Sequence, residues 1–155
     1  MSIELYDISE CHKVVKPWGQ EVWLQAGSEV YPFALKELVL KSGNKTSLQV
    51  HQYKSETIII TEGVGAIIHW DKFFDCEKYL AGGYSDEEIA RIKSELVSTK
   101  VQKGSVFHTP PGTIHRMIAA ETLVYTEAST TQLDDVIRLE DANGRSHGRI
   151  DTEHV

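Results

Sequence analysis

The chain of 155 residues has little of what several protein classes require. Its two cysteines, Cys11 and Cys76, are too few for a disulfide scaffold, so reduced thiols in a cytoplasm are expected. Only 16 Lys and Arg stand against 23 Asp and Glu, and the net charge of −7 argues against a nucleic-acid partner. The apolar runs are too short to span a membrane, and the first residues show no secretion signal. The sequence therefore predicts a cytoplasmic protein without nucleic-acid or membrane partners.

Apolar residues make up 41% of the chain and charged residues 25%, which is typical of one globular domain, here residues 1–155. Short segments rich in β-branched and aromatic residues alternate with Gly, Pro and Asn. The predicted strands cover residues 21–24, 33–40, 47–51, 57–61, 65–70, 101–109 and 122–130. Several short strands separated by turns indicate an all-β fold, an antiparallel sandwich or barrel.

One segment departs from the strand pattern. Ser85 and Glu88 have the spacing of a capping box, which predicts a helix over residues 85–97. The apolar residues that would share one face of this helix are Ile89, Ile92 and Leu96. We therefore interpret residues 71–100 as a short helical insertion into a core of residues 13–145. The polar tail after residue 144 is expected to be loosely held.

Four side chains in two separate segments have the chemistry of a metal site. Gln49 and His51 share one face of a predicted strand, and Glu56 follows at the start of the next strand. His115 comes after the rigid turn at residues 110–112 and can approach from an opposite wall. Imidazole, carboxylate and amide ligands suit Zn, Mn, Fe, Co or Ni. Three or four protein ligands leave open positions, so the sequence predicts one catalytic divalent metal ion.

A histidine beside a turn is usually a surface or core residue, and only the combination of four compatible residues favours a metal site. His108 lies near the same turn and is a candidate for lining the pocket, although a polar strand residue is the simpler interpretation. The remaining histidines, which receive no role, are His12, His69, His147 and His154.

Two motifs resemble those of the cupin superfamily. Residues 104–115 read Gly-x5-Pro-x-Gly-x2-His, which is similar to the second cupin motif. Residues 43–63 resemble the first motif, with Gln49 at the place where that motif usually has a histidine. The resemblance implies a jelly-roll antiparallel β-barrel that holds one metal ion.

Flanking segments narrow this resemblance to one branch of the cupins. Residues 13–145, without the insertion, are similar to type II phosphomannose isomerases, the cupin half of bifunctional mannose-1-phosphate guanylyltransferases. The segments that carry the similarity are residues 16–19, 47–51, 115–117 and 133–145. With no nucleotidyltransferase domain ahead of the motifs, we expect a stand-alone relative. A homodimer is expected by analogy with many cupins.

The resemblance implies metal-dependent aldose–ketose isomerisation of a sugar or sugar phosphate. A base must then move a proton between C1 and C2, and the candidates are Glu56 and Glu127. Lys36, on an inward strand face, is predicted to contact substrate, and Arg116 to clamp a phosphate or an enediolate oxygen. Trp18 is a candidate for stacking on the sugar. Each of these residues has a structural alternative. Lys36 could extend to the rim of the barrel, and Glu127 could form an ion pair with it. Arg116 could cap a turn, and Trp18 could be a core residue.

Three departures from the family pattern keep other functions open. Ala119 stands where the second motif often has Asn, residues 57–59 lack the family's aromatic, and the insertion at 71–100 is unusual. The alternatives are another metal-dependent cupin enzyme, such as a dioxygenase or a lyase, and a non-catalytic sugar-binding cupin.

Overall fold

In a computed structural model, which describes residues 2–145 and 147–150, the chain forms two antiparallel sheets of six strands each. The first sheet contains, in spatial order, β1 (His12–Lys16), β2 (Gly19–Gln25), β3 (Ala34–Leu40), β10 (Leu123–Ser129), β5 (Glu56–Glu62) and β8 (Val106–Thr109). The second sheet contains β12 (Gly148–Ile150), β11 (Val136–Glu140), β4 (Leu48–Val50), β9 (His115–Ala119), β6 (Val64–His69) and β7 (Val97–Gln102). Two helices, α1 (Cys76–Leu80) and α2 (Asp86–Ser94), lie between β6 and β7. The all-β, jelly-roll prediction is confirmed.

Strict alternation along the strands produces the barrel interior. In β3 every second residue from Ala34 to Leu40 is buried, and β10 repeats this pattern from Leu123 to Ser129. These inward residues meet those of the facing sheet and form the inner core. Its buried members are Trp18, Leu38, Leu40, Ile58, Ile60, Ile67, Val101, Met117, Ala119, Leu123 and Tyr125.

A second apolar cluster lies on the outer face of the second sheet. Leu48 and Val50 point away from the barrel interior and are covered by the helical insertion. The other buried members of this outer core are Trp70, Phe74, Cys76, Ile92, Ile114, Ile137 and Leu139. The insertion therefore shields the back of the strand that leads to His51.

The structure confirms a helix in the predicted segment, but the helix ends earlier than predicted. Ser85 Oγ accepts the Glu88 N–H at 3.1 Å, as the capping pattern predicted. However, α2 ends at Ser94, not at residue 97, and residues 97–100 belong to β7 rather than to an insertion. The reason is pairing: β7 aligns with the whole of β6, from Val64↔Gln102 to His69↔Val97, and this ladder outweighs local helix propensity.

The predicted strand 101–109 was also wrong, because the chain changes sheet within it. β7 ends at residue 102, a turn at Gly104 with a φ of 91° follows, and β8 begins in the first sheet. A left-handed φ of this kind favours glycine.

The expectation of a loosely held tail after residue 144 was wrong for residues 148–150, whereas residues 146 and 151–155 lie outside the described part of the chain. β12 pairs with β11 through Val136↔Ile150, and Ile150 is buried. Strands β1, β9, β11 and β12 were not predicted. The predicted domain of residues 1–155 includes Met1, Ser146 and residues 151–155, His154 among them, which lie outside the described residues. Within the described ranges, no helix is long and apolar enough to cross a membrane.

Candidate metal centre

Three of the four predicted ligands meet at one point inside the barrel. His51 follows β4, Glu56 begins β5 and His115 begins β9, so each side chain is set by a strand end. Glu56 Oε1 lies 3.7 Å from His51 Nε2 and 3.4 Å from His115 Nε2. One potential ligand atom from each residue lies within 4.8 Å of the others, and all three side chains are buried.

Hydrogen bonds at the far side of each ring fix which imidazole nitrogen faces the cluster. His51 Nδ1 lies 2.6 Å from the Asp135 carbonyl oxygen, and His115 Nδ1 lies 2.9 Å from the Thr113 carbonyl oxygen. Because a carbonyl only accepts, each Nδ1 donates its proton, and each neutral Nε2 keeps a lone pair toward Glu56. Burial, reinforced by the positive charge of Lys54, lowers the pKa of His51 and favours this neutral form.

This donor set fits a divalent cation. Two Nε2 lone pairs and a carboxylate are acceptors that converge with no proton between them. Among the residues that the structure describes, His51 Nε2 has no hydrogen-bond partner. His51, Glu56 and His115 would hold the ion, and mixed nitrogen and oxygen ligands of this kind suit the first-row metals. The identity of the metal is not determined by these residues.

Gln49 lies in the same cavity but makes a different contact. It stands opposite His115 in the β4–β9 pairing and lines the cavity wall. Its Oε1 accepts a hydrogen bond from Ser47 Oγ at 2.7 Å. The role of Gln49 as a fourth ligand therefore remains a prediction.

A lysine that the sequence analysis missed lies at the centre of the charged part of the cavity. Lys54 Nζ is 3.2 Å from Glu56 Oε2 and 3.6 Å from Glu127 Oε2, and the side chain is buried. Lys54 stands two residues before Glu56, and residues at i and i+2 can share a face, so this spacing could have predicted that Lys54 faces the cavity. The sequence gives no strand periodicity in this loop, so that signal was weak.

Burial and mutual charge set the protonation of these groups. Burial alone would lower the pKa of Lys54, but the negative charges of Glu127 and Glu56 outweigh it and raise that pKa. Burial would likewise raise the pKa of Glu56, yet the positive charge of Lys54 holds it well below the usual range. For Glu127, burial and the nearby charge of Glu56 raise the pKa to about 7.

Lys36 and Trp18 line the same cavity, and Lys36 therefore faces inward as predicted. Lys36 is only 2% exposed, and its Nζ lies 3.4 Å from Glu21 Oε1 and 4.9 Å from the centre of the Trp23 ring. Trp18 is buried in the inner core, so it forms part of the apolar wall. Glu21 is a third carboxylate that lines the cavity, and the sequence did not predict it.

Arg116 and His108 are not among the residues that line this cavity, and their predicted substrate contacts stay predictions. Arg116 follows His115 on β9 and so points to the opposite face, where its Nε donates to the Thr46 carbonyl at 3.0 Å and its Nη1 to Glu140 at 2.9 Å. His108 pairs with Thr57 on the outer face of the first sheet, with Nδ1 2.8 Å from Thr57 Oγ1.

Asp135 is a further charged residue close to the cluster, beside His51. Its carboxylate accepts hydrogen bonds from the main-chain N–H groups of Gln52, Tyr53 and Lys54. Burial would raise the pKa of Asp135, but these three donors lower it. The carboxylate also forms an ion pair with Arg149, whose Nη1 lies 3.3 Å from Asp135 Oδ1.

Comparison with known proteins agrees with the sequence motifs. Residues 6–80 match the family described as mannose-6-phosphate isomerase C-terminal. The xanthan biosynthesis protein XanB of Xanthomonas campestris is 25% identical over 139 residues, which cover 86% of this chain and 24% of that protein. The alginate biosynthesis protein AlgA of Pseudomonas aeruginosa is 26% identical over 139 residues, covering 86% and 23%. The chain thus spans about a quarter of the length of these curated relatives.

Among solved structures, the capsular polysaccharide assembling protein CapF of Staphylococcus aureus has a TM-score of 0.61 at 16% identity, covering 84% of this chain and 32% of that one. At this identity the likeness shows the fold alone. The chain has the fold of a cupin. Its sequence is similar to the C-terminal domain of mannose-6-phosphate isomerases over residues 6–80, so the resemblance that its motifs indicated is confirmed.

Proposed function

We propose that this cupin is a metal-dependent aldose–ketose isomerase acting on a sugar or a sugar phosphate. The observation that carries the proposal is the convergence of His51, Glu56 and His115 beside a further buried carboxylate, Glu127. The similarity to mannose-6-phosphate isomerase C-terminal domains supports the reaction class. The names of XanB and AlgA support a place in carbohydrate or cell-surface polysaccharide metabolism.

The reaction requires a proton to leave C2 of the open-chain sugar and to return at C1. A divalent ion in the site would polarise the carbonyl and stabilise the negative charge that develops on its oxygen. We assign the proton transfer to Glu127, because this cavity carboxylate lies outside the convergent His-Glu-His set. The Lys54 ammonium lies between Glu56 and Glu127 and would keep both carboxylates oriented toward the cavity.

The size of the cavity bears on how a sugar binds. Its volume is about 60 Å³, well below the several hundred Å³ of typical ligand pockets. We therefore propose that only the reacting carbons enter between the ligands and Glu127, while the rest of the sugar lies outside the cavity. Lys36 and Trp18, which line the interior, are the proposed contacts for the end that enters.

The test is proton exchange in deuterated water. Metal-replete protein is incubated with a series of aldoses and aldose phosphates, and deuterium is sought by NMR at the carbon next to the carbonyl. We expect label and ketose product with one sugar class, and loss of both after chelation. The Glu127→Gln protein is the matched control, expected to keep its metal and lose the exchange.

Other outcomes would replace the proposal. Oxygen uptake or product cleavage with iron would identify a dioxygenase or a lyase, and saturable sugar binding without turnover would identify a binding cupin. The cytoplasmic location and the homodimer stay predictions.

A further inference from the structure

The loop between β4 and β5 carries two functional side chains but lies outside the strand ladders. Residues 51–55 supply His51, a proposed ligand, and Lys54, the central ammonium of the cavity. The main chain of this loop is therefore held by contacts other than strand pairing. At its first residue, the His51 carbonyl accepts the Gly112 N–H at 2.8 Å. At its last residue, Ser55 N–H donates to Thr130 Oγ1 at 3.2 Å.

The middle of the loop is bound by one side chain. The Asp135 carboxylate accepts from Gln52 N at 3.2 Å, Tyr53 N at 2.6 Å and Lys54 N at 2.9 Å. Three successive amides that point at one carboxylate form an anion-binding turn, and hydrogen bonds to a charged acceptor are roughly twice as strong as neutral ones. The orientation of residues 52–54 thus depends on Asp135.

The same residue also orients the imidazole. The Asp135 carbonyl oxygen accepts from His51 Nδ1 at 2.6 Å, which leaves Nε2 unprotonated and directed at Glu56. Asp135 immediately precedes β11, and β11 pairs with β4 through Ile137↔Val50, so this carbonyl is held in a fixed position beside His51. Arg149 from β12 holds the carboxylate from its other side, with Nη1 3.3 Å from Oδ1, and also contacts Gln52.

We propose that Asp135 is the positioning residue of the metal centre: through its carboxylate and its carbonyl it sets both His51 Nε2 and Lys54 Nζ against Glu56. This inference rests on the proposed metal site and adds the residue that builds it. It does not depend on the sugar, nor on the reaction being an isomerisation. Residues that orient ligands from behind typically contribute about 10- to 100-fold to metal affinity.

The experiment measures Co²⁺ binding to the metal-free full-length protein by its visible absorption. The variants are Asp135→Asn, which keeps one acceptor oxygen, and Asp135→Ala, which keeps none. Asp71→Asn is the control, because Asp71 also pairs with a histidine, His69 at 3.1 Å, but lies on the surface. Circular dichroism establishes the temperature range in which each variant is folded, and all titrations are made within it.

We expect weaker Co²⁺ binding by about 10- to 100-fold for Asp135→Ala, a smaller loss with an altered spectrum for Asp135→Asn, and no change for Asp71→Asn. Folded Asp135 variants with the wild-type affinity and spectrum would overturn the inference. A wild-type protein that binds no Co²⁺ would overturn the metal centre itself, which is a different result. Isomerase activity is not used, so failure of the sugar screen leaves this test intact.

A measurement on the wild-type protein covers the case in which the variants do not fold. Amide hydrogen exchange of residues 52–54 is followed by NMR. Because these amides are hydrogen-bonded to the Asp135 carboxylate, we expect them to be protected although they lie in a loop. Exchange at the rate of an unprotected loop would contradict the inference.

Discussion

The two ends of the barrel interior are built from the same strands but have opposite chemistry. At one end the inward side chains are apolar, and at the other they are charged or imidazole. The change occurs along each strand, from the apolar end to the charged end of the barrel. It runs from Leu40 and Leu38 to Lys36 on β3, from Leu123 and Tyr125 to Glu127 on β10, from Ile60 and Ile58 to Glu56 on β5, and from Ala119 and Met117 to His115 on β9.

The difference means that the apolar end mainly stabilises the fold, whereas the charged end carries the candidate metal site. Each large aliphatic side chain buried at the apolar end stabilises the fold by roughly 1.5–3 kcal/mol. At the charged end, the burial of ionised groups costs free energy that their mutual attraction only partly offsets. Strongly perturbed, clustered ionisable groups are typical of functional sites. The comparison therefore predicts that substitutions at the two ends have separable effects.

The largest effect is expected from removing a ligand at the charged end. His115→Ala deletes one of the three converging ligands, so the affinity for Co²⁺ or Zn²⁺ should fall by more than about 100-fold, beyond the loss typical of residues that only orient ligands. Metal content by elemental analysis and the proton-exchange assay measure the result. Met117→Leu, a substitution of similar volume on the same strand, should retain the metal. Full metal content in His115→Ala would mean that the ligand assignment is wrong.

The next effect belongs to the apolar end. Leu123 is fully buried in the inner core, and Leu123→Ala should lower the free energy of unfolding by about 2–5 kcal/mol through lost burial and a cavity. Denaturant unfolding measures this loss, and Co²⁺ titration of the folded variant should give the wild-type affinity. A variant of unchanged stability that had lost its metal would contradict the division between the two ends.

A smaller effect is expected from Glu127 in the metal-free protein. In the folded state this carboxyl keeps its proton up to about pH 7, whereas an ordinary glutamate loses it near 4.5. Between these values the folded state binds more protons, so the contribution of Glu127 to stability falls as the pH rises, by up to about 1.4 kcal/mol per pH unit. Glu127→Gln should remove this component. If unfolding experiments gave the wild-type and variant proteins the same pH dependence in this window, the raised pKa would be refuted.

The smallest effect is expected outside the barrel. His108 contacts Thr57 on the outer face of the first sheet, so His108→Ala should change stability by less than about 0.5 kcal/mol and leave metal affinity and KM unchanged. Kinetic analysis on whichever sugar the screen identifies checks this. A raised KM in His108→Ala would indicate that His108 contacts the substrate.

Most of the fold and the metal cluster could be predicted because they depend on alternation and on motif spacing. Gln49 and His51 were placed on one face by their i, i+2 spacing, and the turn before His115 indicated its approach. The same alternation places Arg116, which follows His115 directly, on the opposite face of the strand from the proposed ligand, where it contacts Thr46.

Other features depend on contacts that local sequence does not encode. β11 was missed because four of its five residues are buried, with the outer core covering its back, so it shows no alternation. Lys54 lies in a loop whose sequence has no strand periodicity. Its ion-pair partners, Glu56 and Glu127, lie on β5 and β10, so its buried position depends on tertiary contacts. The role of Asp135 arises from a fold that brings it to a loop more than 80 residues away.

The most direct test is anomalous diffraction at the metal edge from crystals grown with Zn²⁺ or Mn²⁺. We predict one strong anomalous peak inside the barrel, within bonding distance of His51 Nε2, His115 Nε2 and the Glu56 carboxylate. A well-ordered barrel with no peak there, or with a peak bound only by other residues, would contradict the central claim.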